Sequence, residues 1–282
     1  MNSICLLTDS FAQFYSSQEN THDFLFQIPL TLQIGDKKYH VDQANIDEVL
    51  TDCDHHQGFN LLIPEKEKII QQIEFCQKHY RDIIIITHSK FFTGLFSTLE
   101  KLREYIPQKQ NLYLINSNTF SFGMGFLIQN AIHKILSGES ARSIVNDLQT
   151  QISNIYTYFF TPDLHYISHA GFIENAQAIS LEILNLFPIF SFEDGKFNPL
   201  EKINSRSKYY QFLEEFINEF SDIDQAIFIY GIQKTRKEVP ALHNYLKEIH
   251  PDAKFFSHIM NPITKAMLGP KSMGLFVISD DK

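Results

Sequence analysis

Tryptophan is absent from the 282 residues, and cysteine is scarce. Cys5, Cys53 and Cys76 are odd in number and irregularly spaced, so the sequence predicts neither a disulfide framework nor a zinc site. Basic residues are outnumbered, because 24 Lys and Arg stand against 33 Asp and Glu. They form no cluster of the kind that follows a phosphate backbone. Nucleic acid is therefore not an expected partner.

Long apolar runs are missing as well. No stretch approaches the ~20 residues that span a bilayer, and residues 1–10 have no basic flank before Asp9. We therefore expect neither a membrane span nor a signal peptide, and we predict a cytoplasmic protein. Phenylalanine, in contrast, is abundant at 26 residues. Either an AT-rich genome favours its codons, or some of the rings line an apolar ligand pocket.

Three apolar runs in the first half each end in a short polar loop that precedes a helical pattern. The pairs are residues 4–7 with Thr8, Asp9 and Ser10, residues 83–86 with Thr87, His88 and Ser89, and residues 112–115 with Asn116 and Ser117. Such runs indicate parallel strands buried on both faces. Their carboxyl ends share one sheet edge, where hydroxyls and free helix N–H groups can hold an oxygen-rich anion.

The pattern changes near residue 155. A hairpin is predicted with arms at 188–192 and 196–200 around Asp194 and Gly195, among further strands and helices. Mixed connections after repeated strand–helix units predict two domains of different type. We expect an α/β protein with an N-terminal three-layer α/β/α domain and a parallel sheet at residues 1–157. A C-terminal α+β domain with a mixed sheet is expected at residues 158–282.

The ordered motifs of the chain resemble those of the DegV family over nearly its whole length. They are Asp9-Ser10, Ser89 with Thr93-Gly94, Asn116-Ser117, Ser121 with Gly123 and Gly125, Asp163 with Tyr166, Asp194-Gly195-Lys196, and Gly269-Pro270. The resemblance implies a protein that is not itself a catalyst and binds one long-chain fatty acid. The carboxylate is expected near the domain junction, and the acyl chain in an apolar tunnel. A separate ATP-dependent fatty acid kinase is the implied partner, and no other cofactor is expected.

The resemblance also predicts which residues touch the ligand. The predicted head-group contacts are Ser89, Lys90, Thr93, Gly94, Asn60, Ser117 and Ser121. The predicted acyl-tunnel contacts, in the second domain, are Phe172, Ile179, Ile183, Leu186 and Met267. Burying a sixteen-carbon chain contributes on the order of 10 kcal/mol before association costs. The carboxylate needs hydrogen-bond partners, since burying it without them costs several kcal/mol.

Five positions depart from the family pattern. Lys90 stands where the family has the second serine of a Ser-Ser pair, and Met267 stands where it has a histidine before Gly-Pro. Where the family has a Thr-Ser-Gln-Pro stretch, this chain has only Asn60 as a hydrogen-bonding side chain. Two arginines are replaced by Phe172 and Asn204. Two interpretations follow. The chain binds a fatty acid with Lys90 or backbone amides replacing the lost contacts, or it binds an apolar ligand with a less anionic head and has lost its kinase.

Other classes of function stay open at this stage. A diverged serine hydrolase or esterase would use Ser89 with a base such as His88, although Ser89 lacks the Gly-x-Ser-x-Gly elbow. A ligand-free interaction protein would fill its tunnel with Phe side chains. Residues 52–56 are interpreted as a solvated loop, and His165 and His169 as a structural pair on one helix, so no metal is expected.

Overall fold

The computed structural model describes residues 3–15, 22–41, 49, 58–104, 112–232 and 239–280. In chain order its strands are β1 (Ile4–Asp9), β2 (Leu25–Ile28), β3 (Thr31–Ile34), β4 (Lys37–His40), β5 (Asn60–Leu62), β6 (Asp82–Thr87), β7 (Leu112–Asn116), β8 (Ile155–Phe160), β9 (Phe187–Glu193), β10 (Lys196–Ile203), β11 (Gln225–Tyr230), β12 (Lys254–Ile259) and β13 (Met273–Ile278). Its helices are α1 (Lys66–His79), α2 (Leu95–Leu102), α3 (Ser121–Leu136), α4 (Ala141–Ile152), α5 (Leu164–His169), α6 (Asn175–Ile183), α7 (Arg206–Ile217), α8 (Val239–Ile249) and α9 (Pro262–Leu268).

The chain divides into two compact units. The first takes its described residues from Met1–Gln33, Lys38–Gln43 and Leu61–Ser153, and the second from Ile34–Lys37, Ala44–Asn60 and Asn154–Lys282. Strand β8 thus belongs wholly to the second unit. The sequence-based division at residues 157 and 158 stays a prediction for independently folding domains.

The first unit is built on a parallel sheet in the order β2–β1–β6–β7. Strands β1 and β6 are buried along their full length, as expected when both faces of a parallel sheet are covered. Thr8 lies opposite Ile86, and Thr87 lies opposite Asn116. The loops that follow β1, β6 and β7 therefore leave the same edge of the sheet, which confirms the predicted parallel arrangement.

A separate sheet of three strands has the order β4–β3–β5. Strands β3 and β4 are joined at Gly35, whose φ of 57° lies in the left-handed region that glycine adopts without strain. Residues 35 and 36 form the turn between these two strands.

The second unit is built on a mixed sheet in the order β10–β9–β8–β13–β11–β12, in which only the pairing of β11 with β12 is parallel among the described strands. The predicted hairpin is the antiparallel pair β9–β10, with positive φ at Asp194 and Gly195. Strand β10 extends to Ile203, beyond the predicted arm. Its register shifts between Pro199 and Glu201, because a bulge accommodates the proline within the strand.

Phenylalanine supplies much of the packing on both faces of this mixed sheet. One face carries a buried cluster that includes Phe160, Phe216 and Phe228. Elsewhere in the unit the Phe197 ring contacts Phe159 and Phe192, at centroid distances of 5.7 and 4.8 Å. Ring pairs at these distances add a favourable aromatic interaction to the free energy gained by burying apolar area.

Within the described residues, no helix has the length and hydropathy to cross a bilayer.

Alkaline pH should destabilise this unit through a buried tyrosine. Burial raises the pKa of Tyr158 to about 12, and the nearby Glu193, Glu219 and Tyr156 add to the effect. Between about pH 10 and about pH 12, Tyr158 keeps its proton in the folded state and loses it in the unfolded state. Its contribution to the free energy of unfolding is therefore fully present below about pH 10 and is lost as the pH rises towards about 12. We expect a loss on the order of 2 kcal/mol in the free energy of unfolding from Tyr158. Denaturation by guanidinium at a series of pH values measures it.

Tyr158→Phe is the matched control, because it removes the ionisable group and retains the ring. The variant should lose stability less steeply with pH than the wild type. Burial also raises the pKa of Tyr209, so a residual slope is expected. Parallel profiles for the two proteins would contradict this assignment.

Candidate functional site

Asp9 joins two of the loops at the polar edge of the first unit. Its side chain is fully buried at the end of β1. Oδ1 accepts a hydrogen bond from the backbone N–H of Phe11 at 3.0 Å, and Oδ2 accepts one from the backbone N–H of His88 at 2.9 Å. A carboxylate bonded in this way fixes the loops that follow β1 and β6 against each other.

His88 connects this carboxylate to a hydroxyl. The ring is buried, and its Nδ1 lies 2.9 Å from Asp9 Oδ2, although these two atoms do not form a hydrogen bond. Nε2 lies 2.7 Å from Thr93 Oγ1. Thr93 Oγ1 also accepts a hydrogen bond from the backbone N–H of Leu95 at 3.1 Å, at the start of α2. Carboxylate, imidazole and half-buried hydroxyl therefore form one chain of contacts.

Ser89 and Ser117 shape the loops around this chain of contacts. Both are fully buried. The Ser89 backbone N–H donates to the Thr119 carbonyl at 2.9 Å, and the Ser117 hydroxyl donates to that same carbonyl at 3.1 Å. The Ser117 oxygen also accepts from the Thr119 N–H at 3.2 Å. The structure thus brings Ser89 and Ser117 together, with hydrogen bonds that order the loops, and their contact with a ligand stays a prediction.

Ser121 and Gly125 hold the loop after β1 against α3. The Ser121 hydroxyl donates to Gln13 Oε1, and the Gln13 backbone N–H donates to the Ser121 carbonyl, both at 3.1 Å. A Cβ at Gly125 would lie 1.9 Å from the Gln13 carbonyl oxygen. Asn118 and Ser121 have φ of 48° and 50°, which is uncommon outside glycine and is concentrated at ligand sites.

The remaining predicted head-group residues are exposed. Lys90 donates its backbone N–H to Asn116 Oδ1 at 3.0 Å, and its Nζ lies 5.4 Å from the centre of the Phe91 ring. Gly94 precedes α2 at the surface, near Thr93. Asn60 is exposed at the start of β5 and belongs to the second unit. Their ligand contacts stay predictions.

Two aromatic rings, Phe11 and Phe92, pack against the His88 ring, and Phe120 packs on both of them. Phe11 lies 5.3 Å from Phe92 and 5.4 Å from Phe120, measured between ring centroids, and Phe92 and Phe120 are 5.3 Å apart. His88 lies 5.6 Å from Phe11 and 6.3 Å from Phe92. These rings come from three separate loops. The sequence indicates a polar loop after each strand. It does not indicate that aromatic rings from these loops pack together beside one histidine, because that depends on tertiary structure.

The second unit contains an apolar groove of about 790 Å³. It runs beneath α6 and along the start of β9 and the bulge of β10. Most of its lining is aliphatic, aromatic or proline, namely Phe172, Ile173, Ala176, Leu181, Leu184, Leu186, Pro188, Pro199 and Leu200, with Gln177, Ser180, Glu201 and Lys202 as the polar members. Phe172 and Leu186, both predicted for the tunnel, line this groove.

Three of the predicted tunnel positions lie outside this groove. Ile179 is 51% exposed and Ile183 is 80% exposed, and neither lines the groove. Helix α6 presents Ala176 and Ser180 to the groove, so residues 179 and 183 fall on its outer face. Met267 is buried on α9 and is not part of the groove wall. Aliphatic residues on both faces of α6 make its inner face ambiguous in the sequence.

Two groups of potential metal ligands occur in the sequence, His165 with His169 and the polar cluster at residues 52–56. His165 and His169 lie on α5 with ring centroids 6.0 Å apart, and burial together with His165 lowers the pKa of His169. Within the part of the chain that the structure describes, no three His, Cys, Asp or Glu side chains group into a metal site. The polar cluster at residues 52–56 lies outside the described residues.

The sequence is similar to known proteins over nearly its whole length. A family model described as "Uncharacterised protein, DegV family" matches residues 3–280. A DegV domain-containing protein of Staphylococcus aureus (strain MRSA252) is 24% identical over 275 residues, which cover 96% of this chain and 96% of the relative.

Two solved structures share the fold. A fatty acid binding DegV family protein from Streptococcus agalactiae has a TM-score of 0.84 at 19% identity and covers 99% of this chain and 100% of its own. The fatty acid kinase (Fak) B3 protein of Streptococcus pneumoniae, loaded with linoleic acid, has a TM-score of 0.83 at 14% identity, with 99% and 100% covered. Neither is described as a hydrolase, so the hydrolase alternative is not favoured.

Proposed function

This chain belongs to the DegV family, and from that membership we propose that it binds one long-chain fatty acid, or a similar lipid, without itself catalysing a reaction. The observation that carries the proposal is the apolar groove of about 790 Å³ beneath α6. Pockets of about 300–1,000 Å³ with mostly apolar walls and a few polar groups are typical ligand sites. The matched proteins from Streptococcus agalactiae and Streptococcus pneumoniae, described as fatty acid binding and as loaded with linoleic acid, support the class of ligand.

For the carboxylate we propose Thr93 as the first contact. Its hydroxyl is half-buried at the start of α2 and can be reached by a ligand, whereas Ser117 is fully buried. Ser89, Gly94, Ser121 and Asn60 remain proposed contacts of lower rank. Lys90 can add a point charge close to the ligand head.

A kinase partner is also proposed. One matched structure is a component of a fatty acid kinase, which supports an ATP-dependent kinase that acts on the bound acid. Because Phe172 and Asn204 replace two arginines of the family pattern, we expect weaker coupling to such a kinase than in relatives that retain them. We place this activity in the cytoplasm, where the buried free thiols of Cys5 and Cys76 stay reduced.

Mass spectrometry tests the ligand directly. The purified chain is denatured, its lipid is extracted and identified, and native spectra are then recorded with added linoleic acid. We expect one fatty acid per chain. Spectra without adducts at excess linoleic acid, together with a lipid-free extract, would overturn the proposed function.

Thr93→Ala tests the head-group assignment. Losing one hydrogen bond to a charged group should weaken linoleate binding on the order of 10-fold. The contacts of Thr93 Oγ1 with His88 Nε2 and with the Leu95 N–H are also lost, at about 1–3 kcal/mol, so the melting temperature should fall by several degrees. Titration calorimetry and a melting curve measure the two effects.

Ser97→Ala is the control for Thr93→Ala. Ser97 is exposed on α2, the helix that follows Thr93, and its hydroxyl donates to the Gly94 carbonyl at 3.0 Å. Its removal should leave linoleate affinity unchanged. If both variants bind linoleate as the wild type does, Thr93 is not the carboxylate contact.

A further inference from the structure

We propose that His88 is a positioning residue that sets whether the Thr93 hydroxyl can donate a hydrogen bond to the ligand carboxylate. This inference rests on the proposed function and adds that the protein takes up a proton when it binds the carboxylate. Three contacts carry it: His88 Nδ1 with Asp9 Oδ2 at 2.9 Å, His88 Nε2 with Thr93 Oγ1 at 2.7 Å, and the Leu95 N–H with Thr93 Oγ1 at 3.1 Å.

In neutral His88, the position of the single ring proton follows from its neighbours. Asp9 accepts hydrogen bonds from two backbone N–H groups, so its carboxylate is an acceptor only. Nδ1 makes no hydrogen bond to Oδ2, but this negative oxygen lies 2.9 Å from it, so electrostatic attraction places the single ring proton on Nδ1. Nε2 is then an acceptor, and it takes the hydroxyl proton of Thr93. With its only proton used, Thr93 has nothing to donate to a carboxylate.

Protonation of His88 reverses the direction of this bond. The second proton lies on Nε2, which now donates to Thr93 Oγ1. The hydroxyl proton of Thr93 is released from the ring and can be donated to a ligand oxygen. The imidazolium also brings a positive charge close to the ligand head, beside the negative charge of Asp9. Binding of a carboxylate thus takes up one proton from solution, which Nε2 holds.

The surroundings of His88 favour a strong coupling. Among the described residues, the charged group in contact with its ring is Asp9 on β1. The loop after β1 contributes Phe11, the segment before α2 contributes Phe92, and the segment before α3 contributes Phe120, which packs on both rings. Lys90 follows on the same loop but is exposed over Phe91. Apolar walls keep water away, so charges at this site are weakly screened.

Linoleate titrations at several pH values test the coupling. The wild type should bind about 10-fold more tightly near pH 6 than near pH 8, because binding takes up a proton. Calorimetry in buffers of different ionisation enthalpy should show proton uptake approaching one per ligand. Linoleyl alcohol, which has the same chain and no carboxylate, should show neither effect.

His88→Gln is the informative variant, because an amide fills the same region and does not titrate. It should bind linoleate with an affinity that is flat across this pH range and with no net proton uptake. His133→Gln, at an exposed histidine of α3 in the same unit, should retain the wild-type profile. Retention of the pH dependence in His88→Gln would overturn the inference.

A readout on the wild type covers the case in which His88→Gln does not fold. Nitrogen-15 chemical shifts of the imidazole should move from a ring protonated only on Nδ1 to a doubly protonated ring when linoleate is added. An unchanged neutral ring in the complex overturns the inference while the proposed function stands. Absence of linoleate binding at every pH overturns the proposed function instead.

Discussion

Ala176→Trp should abolish most of the affinity for linoleate. Ala176 lies on α6 and lines the apolar groove, so an indole at this position occupies space proposed for the acyl chain. Excluding three methylene groups at about 0.8 kcal/mol each weakens binding on the order of 50-fold. The side chain of Ala176 is exposed to the groove rather than packed in the core, so the fold should tolerate the change. Titration calorimetry with linoleate measures the loss.

Ile183→Trp is the matched control on the same helix. Ile183 is 80% exposed and lies outside the groove, so the larger side chain should leave the affinity unchanged. Since the chain has no tryptophan of its own, each variant carries a single indole whose emission reports its surroundings. The emission should be blue-shifted in Ala176→Trp relative to Ile183→Trp. Equal affinities in the two variants would show that linoleate does not use this groove.

Much of the fold is encoded in local patterns. The apolar runs that became β1, β6 and β7 are short, continuous and followed by helices, and this combination indicates a parallel sheet without knowledge of any distant contact. The turn at Asp194 and Gly195 likewise specifies the β9–β10 hairpin. The bulge beside Pro199 was not predictable to the residue, because the register of β10 depends on how the proline fits against β9.

The candidate site likewise has features that could be predicted from local sequence and features that depend on tertiary packing. Thr93 and Ser89 follow a predicted strand, so their position at the sheet edge could be predicted. The contact between His88 Nε2 and Thr93 Oγ1 depends on how the segment before α2 folds back, and the sequence carries no signal for it. The groove face of α6 could not be chosen either, because Leu181 and Ile183 are equally apolar and only packing distinguishes them.

Gly125→Ala is expected to destabilise the first unit by about 3 kcal/mol or more, against the usual sign for its position. In a helix interior, alanine is favoured over glycine by about 1 kcal/mol. Here the added Cβ would lie 1.9 Å from the carbonyl oxygen of Gln13, which is backbone and cannot rotate away. The loop after β1 must retreat, and the hydrogen bonds between Gln13 and Ser121 are lost with it.

Guanidinium denaturation followed by far-ultraviolet circular dichroism measures the effect, since no tryptophan is available. Gly94→Ala is the matched control, because its φ is −78° and the nearest atom to an added Cβ is Ser97 Oγ at 3.8 Å. Its free energy of unfolding should stay within about 0.5 kcal/mol of the wild type. Similar unfolding midpoints for Gly125→Ala and the wild type would mean that the loop after β1 can move away from α3 at little cost. Asp9 and Phe11, which lie in or beside that loop, would then not be held rigidly by its contact with the helix.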